Sequence, residues 1–136
     1  MSRNYKFYNK EGVYFVSFAT VYWLDIFTRS SYADVVVEAL DYRQKNMGME
    51  LFAWCIMPSH VHLIFSAKDK NPGLLLGKLK EHTSKQTQKD INDNFQESRR
   101  EWLIEMMQKA ASRRSNVEGG QLWQHHNQPV ELRSNE

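Results

Sequence analysis

The sequence is poor in the features that define several classes of protein. A single cysteine, Cys55, excludes a disulfide within the chain and is typical of a reducing, cytoplasmic setting. No apolar run approaches the ~20 residues that a membrane-spanning helix requires. The start of the chain, MSRNYKFYNKEG, is polar and lacks the apolar region of a signal peptide. These absences predict a cytoplasmic protein with no membrane partner.

A large net charge is also absent, since the formal charge at pH 7 is +2, and this value alone does not indicate a nucleic-acid binder. The basic residues are nevertheless unevenly distributed, because the stretch from Lys68 to Lys89 holds six lysines against two acidic residues. A hydrophobic content of 41% and an aromatic content of 12% argue against disorder. A length of 136 residues is enough for one domain with a core, so we expect a single domain spanning residues 1–136.

Hydrophobic periodicity predicts four strands and three helices. Two of the strands are joined by a turn so short, PSH, that they must form an antiparallel hairpin. In chain order the predicted elements are a strand over 12–23, a helix over 30–46, strands at 49–57 and 60–67, a helix from 72 to about 92, a helix that ends near 113–114, and a final edge strand around 121–132 that Pro129 interrupts.

Local signals mark where the predicted helices begin and end. Ser30 or Ser31 can cap the first helix, and Gly48 suits the left-handed position past its end. Asn71 is expected to cap the second helix, and Ser98–Glu101 has the pattern of a capping box before the third. The resulting order, β-α-β-β-α-α-β, is that of the split β-α-β, ferredoxin-like α+β domains. We therefore predict a central antiparallel sheet with helices packed on it.

The stretch WCIMPSHVHLIF places His60 and His62 one residue apart on a predicted strand. Residues i and i+2 of a strand point to the same face, so the two imidazoles lie side by side. Together they can bind one divalent metal ion if a third group approaches. The alternative is that His60 ends a turn and His62 is a hydrogen-bonded residue of a solvated sheet face. Spacing alone favours this simpler interpretation, because a bare His-x-His arises easily by chance.

The residues around the pair resemble the histidine-hydrophobe-histidine (HUH) segment of single-tyrosine transposases, which include insertion-sequence transposases and their REP-associated relatives. In that family an apolar strand is followed by Met-Pro, a small polar residue, the two histidines around a hydrophobic residue, and further apolar residues. The matching residues here run without a gap from Ile56 to Ile64. Supporting similarities are Phe27 after the first strand, the helix after NPG with Lys78 and Lys80, and LWQHH near the end of the sequence.

This resemblance implies a chemistry. His60 and His62 would hold a divalent metal ion, Mg²⁺ or Mn²⁺, against the scissile phosphate of single-stranded DNA with hairpin-bearing ends. A tyrosine on a carboxy-terminal helix would attack the phosphorus, form a 5′-phosphotyrosine link, and later be released by a 3′-OH. A third ligand is needed, and the candidates are Glu131 and at most one of His125 and His126, since neighbouring strand residues point to opposite faces. The implied partner is DNA, and a homodimer is one expected assembly.

The sequence departs from the family pattern at the nucleophile. In the family this tyrosine lies on a helix after the last strand, four residues before a Gln or Asn that ligates the metal. The tyrosines of this chain all lie in its first third: Tyr5, Tyr8, Tyr14, Tyr22, Tyr32 and Tyr42. We therefore assign no catalytic residue, and expect a domain truncated at its carboxy-terminal end with the nucleophile beyond Glu136. The alternative is a non-catalytic remnant that binds single-stranded or hairpin DNA without cutting it.

Basic residues of the second helix are the DNA contacts that the resemblance implies: Lys78, Lys80, Lys85 and Lys89. A solvated helix face is the competing interpretation for these lysines. The arginine pairs at 99–100 and 113–114 could also contact DNA, but a role in surface solubility explains them at least as well.

Four further residues have both a structural and a functional interpretation. Tyr22 and Trp23 could stack on unpaired bases, although packing within the protein is the preferred interpretation. Trp123 is expected in the core rather than at a ligand. Cys55 is expected to be a small buried residue of a central strand.

The favoured hypothesis is thus a transposase-like, metal-dependent HUH domain, with the non-catalytic DNA-binding module as its first rival. A second rival is a metal-dependent hydrolase that uses His60, His62 and a carboxylate, but no convincing carboxylate lies close in sequence. A third rival is a ferredoxin-like regulatory or assembly domain without metal, in which both histidines are structural.

Overall fold

A computed structural model describes residues 7–69, 71–113 and 119–134. In this part of the chain, four strands and three helices follow one another, with two short 3₁₀ turns at Val21–Trp23 and Ile26–Thr28 after the first strand. The strands and helices are β1 (Val13–Ala19), α1 (Ser30–Asn46), β2 (Met49–Met57), β3 (His60–Ala67), α2 (Pro72–Asp93), α3 (Arg100–Ser112) and β4 (Val130–Leu132). No helix among these residues is long and apolar enough to cross a membrane.

The four strands form one antiparallel sheet in the order β2-β3-β1-β4. Strand β3 pairs with β1 in a register that sets His60 opposite Ala19 and His62 opposite Ser17. This order confirms the predicted α+β fold with a split β-α-β arrangement, because β3 lies between β2 and β1, the strands that α1 connects. The predicted hairpin of β2 and β3 is also confirmed.

The two faces of the sheet differ in what covers them. One face, called here the covered face, packs against the helices through buried residues of β1 and β3: Tyr14, Val16, Phe18, Val61, Leu63 and Phe65. The other, called here the open face, carries the alternate residues of the same strands, which are half-exposed: Val13, Phe15, Ser17, Ala19, His60, His62 and Ile64. The alternation of strand side chains therefore separates the core of the protein from its paired histidines.

The first helix has the predicted bounds but a different beginning. Arg29 occupies the N-cap position without a side-chain cap, so the predicted cap by Ser30 or Ser31 is wrong. The reason is tertiary, since the Arg29 guanidinium is engaged by the buried carboxylate of Glu97 at 2.6 Å. Past the end of the helix, Gly48 adopts the predicted left-handed conformation with a φ of 71°.

Of the N-caps predicted for the other two helices, one is confirmed and one is wrong. Asn71 caps α2 as predicted, because its side-chain oxygen accepts a hydrogen bond from the Leu74 N–H at 3.2 Å. The capping box predicted for α3 does not form, since its N-cap residue is Arg99, with no side-chain cap. Here the carboxylate of Glu97 accepts the Arg99 N–H at 3.2 Å, so a buried acid from outside the predicted box binds this backbone donor.

Strand β2 is an edge strand rather than a central one. Cys55 is therefore exposed, and the prediction that it is buried is wrong. A register shift lies between Leu51 and Ala53, so Phe52 has no partner across the strand pair and is exposed. Apolar composition did not reveal that β2 lies at the edge of the sheet.

The first strand ends at Ala19 rather than at the predicted residue 23, because the left-handed backbone of Tyr22 and Trp23 turns the chain. The last strand is also shorter than predicted. Trp123 forms an isolated bridge with Thr20, and β4 begins only at Val130, directly after Pro129. The intervening chain remains attached to β1, because the Gln124 N–H donates to Ala19 O at 2.8 Å and Asn127 O accepts the Ser17 N–H at 2.9 Å. The prediction of a buried Trp123 is confirmed, with 5% of the residue exposed.

Candidate functional site

The paired histidines lie at the beginning of β3 on the open face. Their ring centroids are 4.9 Å apart, with the ring planes nearly perpendicular, so both imidazoles face one small region beside the sheet. Across the neighbouring edge strand, Cys55 pairs with His62 and Met57 pairs with His60. The strand geometry that the sequence predicted for the pair is therefore present.

His62 lies in a more apolar setting than its neighbour. The Phe15 ring stacks on it, with centroids 5.5 Å apart and planes at 13°. Its Nδ1 atom is buried and has no hydrogen-bond partner among the described residues. Burial, and secondarily the positive charge that His60 can carry, lowers the pKa of His62. At neutral pH His62 is therefore held in the neutral form, which is the form that binds a metal ion.

The turn before His60 is fixed by backbone contacts rather than left as a loose connection. The carbonyl of Ser59 accepts the Thr20 N–H at 2.9 Å, and the carbonyl of Pro58 accepts the Phe27 N–H at 3.0 Å. The Ser59 hydroxyl lies 3.3 Å from Nδ1 of His60 and can orient its ring. The Pro-Ser pair of the motif thus positions the first histidine, while Thr20 is a positioning residue that the sequence did not reveal.

The described residues bring no third His, Cys, Asp or Glu side chain to the pair, since they contain no group of three or more such side chains placed to hold a metal ion. Glu131 is engaged elsewhere, because its carboxylate accepts Asn9 Nδ2 at 3.0 Å and Arg133 Nη2 at 3.3 Å. A complete site would need oxygen ligands from solvent or DNA, or a ligand from a residue outside the described part.

His125 and His126 lie in the irregular segment before β4, not within a strand as predicted. The expectation that they point to opposite faces of a strand is therefore wrong, and both line the same surface pocket, beside Tyr22 and Arg113. Their ring centroids are 6.2 Å apart.

The predicted DNA-contacting lysines all lie on α2, which packs against the covered face of the sheet. Lys78 is exposed, while Lys85 and Lys89 form exposed i,i+4 ion pairs with Glu81 at 3.3 Å and Asp93 at 2.8 Å. The lysines and the paired histidines are thus on opposite sides of the sheet. A DNA molecule that contacts both must pass around the edge of the sheet.

Lys80 differs from the other three lysines because its ammonium is directed into the protein. It donates to Gln124 O at 2.9 Å and to Asn127 Oδ1 at 2.6 Å, and it lies 5.5 Å from the centre of the Phe18 ring. Burial lowers the pKa of Lys80 to about 8. In this conformation Lys80 fastens the segment before β4 to α2.

Fold and site together define a ferredoxin-like domain that presents two imidazoles on the face its helices leave open. Residues 11–106 match the sequence profile of the family described as IS200-like transposases. This match covers more than half of the chain, and the chain belongs to this family. The family identified from the HUH segment is thereby confirmed. No curated protein matches the sequence significantly.

Two solved structures have a similar fold. A REP-associated tyrosine transposase bound to a REP hairpin superposes with a TM-score of 0.61 at 15% identity, over 98% of this chain and 64% of that one. A transposase-like protein from Deinococcus radiodurans R1 superposes with a TM-score of 0.50 at 22% identity, over 68% of this chain and 72% of that one. The chain therefore spans about two thirds of the length of the first of these structures.

Proposed function

We propose that this chain is the metal-holding and DNA-binding domain of a transposase that cleaves and rejoins single-stranded DNA at hairpin-bearing ends. The observation that carries the proposal is the pair of imidazoles facing one region of the open face, with ring centroids 4.9 Å apart, in a member of the IS200-like transposase family. The REP hairpin bound to the similar solved structure supports hairpin DNA as the partner.

The residues present fit a divalent metal ion in part. His60 and His62 would supply two nitrogen ligands. The buried Nδ1 of His62 has no partner among the described residues, which is consistent with a partner that is not one of these protein groups. When bound, Mg²⁺ or Mn²⁺ would polarise the scissile phosphate and stabilise charge on the leaving oxygen. Solvent and phosphate oxygens would complete the shell, since Mg²⁺ prefers oxygen ligands.

The side chains around the pair have separate roles in this proposal. Ser59 orients the ring of His60, whose turn is tied to β1 through Thr20. Phe15 covers one face of His62 and excludes water from it, which keeps the imidazole neutral. The protein therefore keeps the His62 imidazole uncharged at neutral pH, in the form that binds a metal ion.

We propose that the attacking tyrosine lies outside residues 1–136. Tyr14 is the single tyrosine within the described strands, and it lies on the covered face with 1% of the residue exposed. Tyr32 is equally buried, in the first turn of α1. The same positions favour a second candidate function, in which the chain binds hairpin or single-stranded DNA without cutting it.

The metal assignment is tested with Mn²⁺ titrations followed by calorimetry. The double variant His60→Ala with His62→Ala is expected to bind Mn²⁺ at least about 10-fold more weakly than the wild-type chain. His82→Ala is the matched control, because His82 is exposed on α2 and should leave Mn²⁺ affinity unchanged. Unchanged Mn²⁺ affinity in the double variant would show that the assignment is wrong.

The DNA assignment is tested with a 5′-labelled DNA hairpin that carries a single-stranded flank. The wild-type chain is expected to bind it with an affinity that falls as salt rises. Incubation with Mn²⁺ followed by denaturing electrophoresis then separates the two candidate functions. Binding without a covalent adduct is expected for this chain alone, whereas an adduct would mean that one of its own residues is the nucleophile.

A further inference from the structure

The 3₁₀ turn after β1 contains two consecutive residues in a left-handed backbone conformation. Tyr22 has a φ of 54° and a ψ of 20°, and Trp23 also has a φ of 54°. Residues with a bulky side chain rarely adopt this conformation, because their Cβ is then crowded by the backbone. Two such residues in succession indicate that the surrounding structure imposes the turn.

Contacts on both sides of the turn hold it in place. The Val21 N–H donates to Leu122 O at 2.8 Å, and the Trp23 N–H donates to Thr20 O at 3.1 Å. The Thr20 hydroxyl donates to Leu24 O at 2.8 Å. Val21 and Leu24 are buried, with 5% and 3% exposed, so the strained pair is fixed between two residues of the core.

The strained turn presents an indole to solvent. Trp23 is 64% exposed, and it is the most exposed of the four tryptophans. This finding contradicts the expectation that Trp23 packs within the protein. The left-handed backbone and the exposed indole each raise the free energy of the folded protein. Packing of the core does not require the Trp23 indole, because it lies in solvent.

The residues beside the turn could contact phosphates and bases. The Arg113 guanidinium lies over the Tyr22 ring at 5.7 Å, and the buried Tyr22 hydroxyl has no hydrogen-bond partner among the described residues. A surface pocket of about 280 Å³ lies between Tyr22, Arg113, His125 and His126. The surface therefore combines aromatic rings with donors to an anionic backbone.

This surface lies at the same end of the sheet as the paired histidines. Ala19, the last residue of β1, is paired with His60, and the strained turn begins two residues later. The backbone of Thr20 bonds to Ser59, the residue before His60. A single strand held at the histidines could thus continue directly onto the turn.

We propose that Trp23, Tyr22, Arg113, His125 and His126 form a binding site for unpaired nucleotides of single-stranded DNA. One base stacks on the exposed indole of Trp23, and the adjoining phosphates lie against Arg113 and the two imidazoles. This inference rests on the proposed function, because it names a further contact of the DNA that would occupy the histidine pair.

The charges around the turn favour an anionic partner, such as a nucleic acid, over a protein with a basic surface. The pocket beside the turn is lined by Arg113 and the two histidines and by no carboxylate among the described residues. Two carboxylates on neighbouring elements are paired with cations, Asp25 with Arg99 at 2.5 Å and Glu81 with Lys85 at 3.3 Å. The Arg113 guanidinium therefore supplies positive charge to this surface, and the exposed imidazoles supply polar ring nitrogens. A base and its phosphate supply both the flat ring and the negative charge that this surface accepts.

The test is binding of a 5′-fluorescein-labelled oligothymidylate of 12 nucleotides, followed by anisotropy in a buffer with EDTA, so that no metal ion contributes. Trp23→Ala is expected to weaken binding about 5- to 100-fold, which is the range for loss of one stacked base. Trp102→Ala is the matched control, since Trp102 is 49% exposed on α3, and its affinity should stay within twofold of wild type.

A second variant separates binding from folding. Trp23→Gly removes the indole but suits the left-handed backbone, so its Tm is expected to rise by about 2–5 °C while binding falls as in Trp23→Ala. A structural role for the indole would instead lower the Tm of both variants. Equal affinities of Trp23→Ala and Trp102→Ala would overturn the inference.

The outcomes also distinguish this inference from the proposed function. If the wild-type chain binds oligothymidylate and the labelled hairpin but Trp23→Ala binds both equally well, the proposed function stands and the nucleotide site is wrong. If the wild-type chain binds neither DNA at any salt concentration, the proposed function and the nucleotide site are both wrong.

Discussion

Strand β3 carries two sets of residues with opposite roles on its two faces. Val61, Leu63 and Phe65 are at most 1% exposed and form the core beneath the helices. His60 and His62 alternate with them, are half-exposed, and have few polar contacts within the protein. The covered face therefore stabilises the fold, whereas the open face is available for chemistry. Substitutions on the two faces should consequently affect different measurements.

The largest effect on stability is expected for Leu63→Ala. Removing a buried leucine side chain leaves a cavity, so the free energy of unfolding should fall by about 3 kcal/mol. The affinity of the folded protein for Mn²⁺ should stay within twofold. His62→Ala should show the reverse: the free energy of unfolding should fall by less than about 1 kcal/mol, while Mn²⁺ affinity should fall strongly. Urea unfolding and calorimetry measure both, and parallel losses in the two variants would contradict the separation of faces.

Glu97→Gln tests the buried ion pair between Glu97 and Arg29, which lies on the helix-covered side of the sheet. The Arg29 guanidinium, which donates two hydrogen bonds to the buried Glu97 carboxylate, is the main cause that lowers its pKa to about 2. Because this value lies below that of the unfolded chain, ionised Glu97 stabilises the fold above about pH 5, and this stability is lost as pH falls towards 2. We expect Glu97→Gln to lose about 2 kcal/mol at pH 7 and much less at pH 3. An equal loss at both pH values in urea unfolding would contradict this account.

Lys80→Met tests the attachment of the segment before β4. Burial lowers the pKa of Lys80 to about 8 in the folded protein, so the unfolded chain binds more protons between about pH 8 and 10. The stability of the wild-type chain should therefore rise by about 1–2 kcal/mol over this interval relative to Lys80→Met. Parallel stability curves for the two proteins, measured by urea unfolding at pH 7 and pH 10, would show that Lys80 is not buried in solution.

A small effect on stability is also expected for Phe15→Ala on the open face. Phe15 is half-exposed, so the free energy of unfolding should fall by about 1 kcal/mol or less. Because its ring stacks on His62, Mn²⁺ affinity should fall about 3- to 10-fold. Val13→Ala is the matched control, since Val13 is also half-exposed on this face but lies two residues further than Phe15 from Ser17, the strand partner of His62. Equal Mn²⁺ affinities of the two variants would remove the role proposed for the Phe15 ring.

The sequence predicted well those features that neighbouring residues determine. The bounds of α1, β2 and β3 agree with the structure, because periodic apolar residues and turn residues act over a few positions. The alternation of His60 and His62 on one face follows from strand geometry alone. Asn71 and Gly48 acted as expected for the same reason, since each interacts with backbone close in sequence.

Features that depend on distant contacts were not predictable. The beginnings of α1 and α3 depend on Glu97, which lies 68 positions from its partner Arg29. The exposure of Cys55 depends on which strand lies at the sheet edge, and apolar composition does not specify strand order. Trp23 is exposed because its backbone is held in a left-handed turn, a conformation that sequence pattern does not indicate for tryptophan.

The Thr20 side chain has one proton to donate and two carbonyl oxygens within reach. Its hydroxyl lies 2.8 Å from Leu24 O, which follows the strained turn, and 3.2 Å from Ser59 O, which precedes the histidine pair. A hydroxyl donates one hydrogen bond at a time, so the two turns compete for the same donor. Thr20→Ser keeps this competition, whereas the isosteric Thr20→Val leaves both carbonyls without the hydroxyl. A ligand that draws the Leu24 carbonyl away from Thr20 would free the Thr20 hydroxyl to donate to Ser59 O. The backbone next to His60 would then be held more firmly.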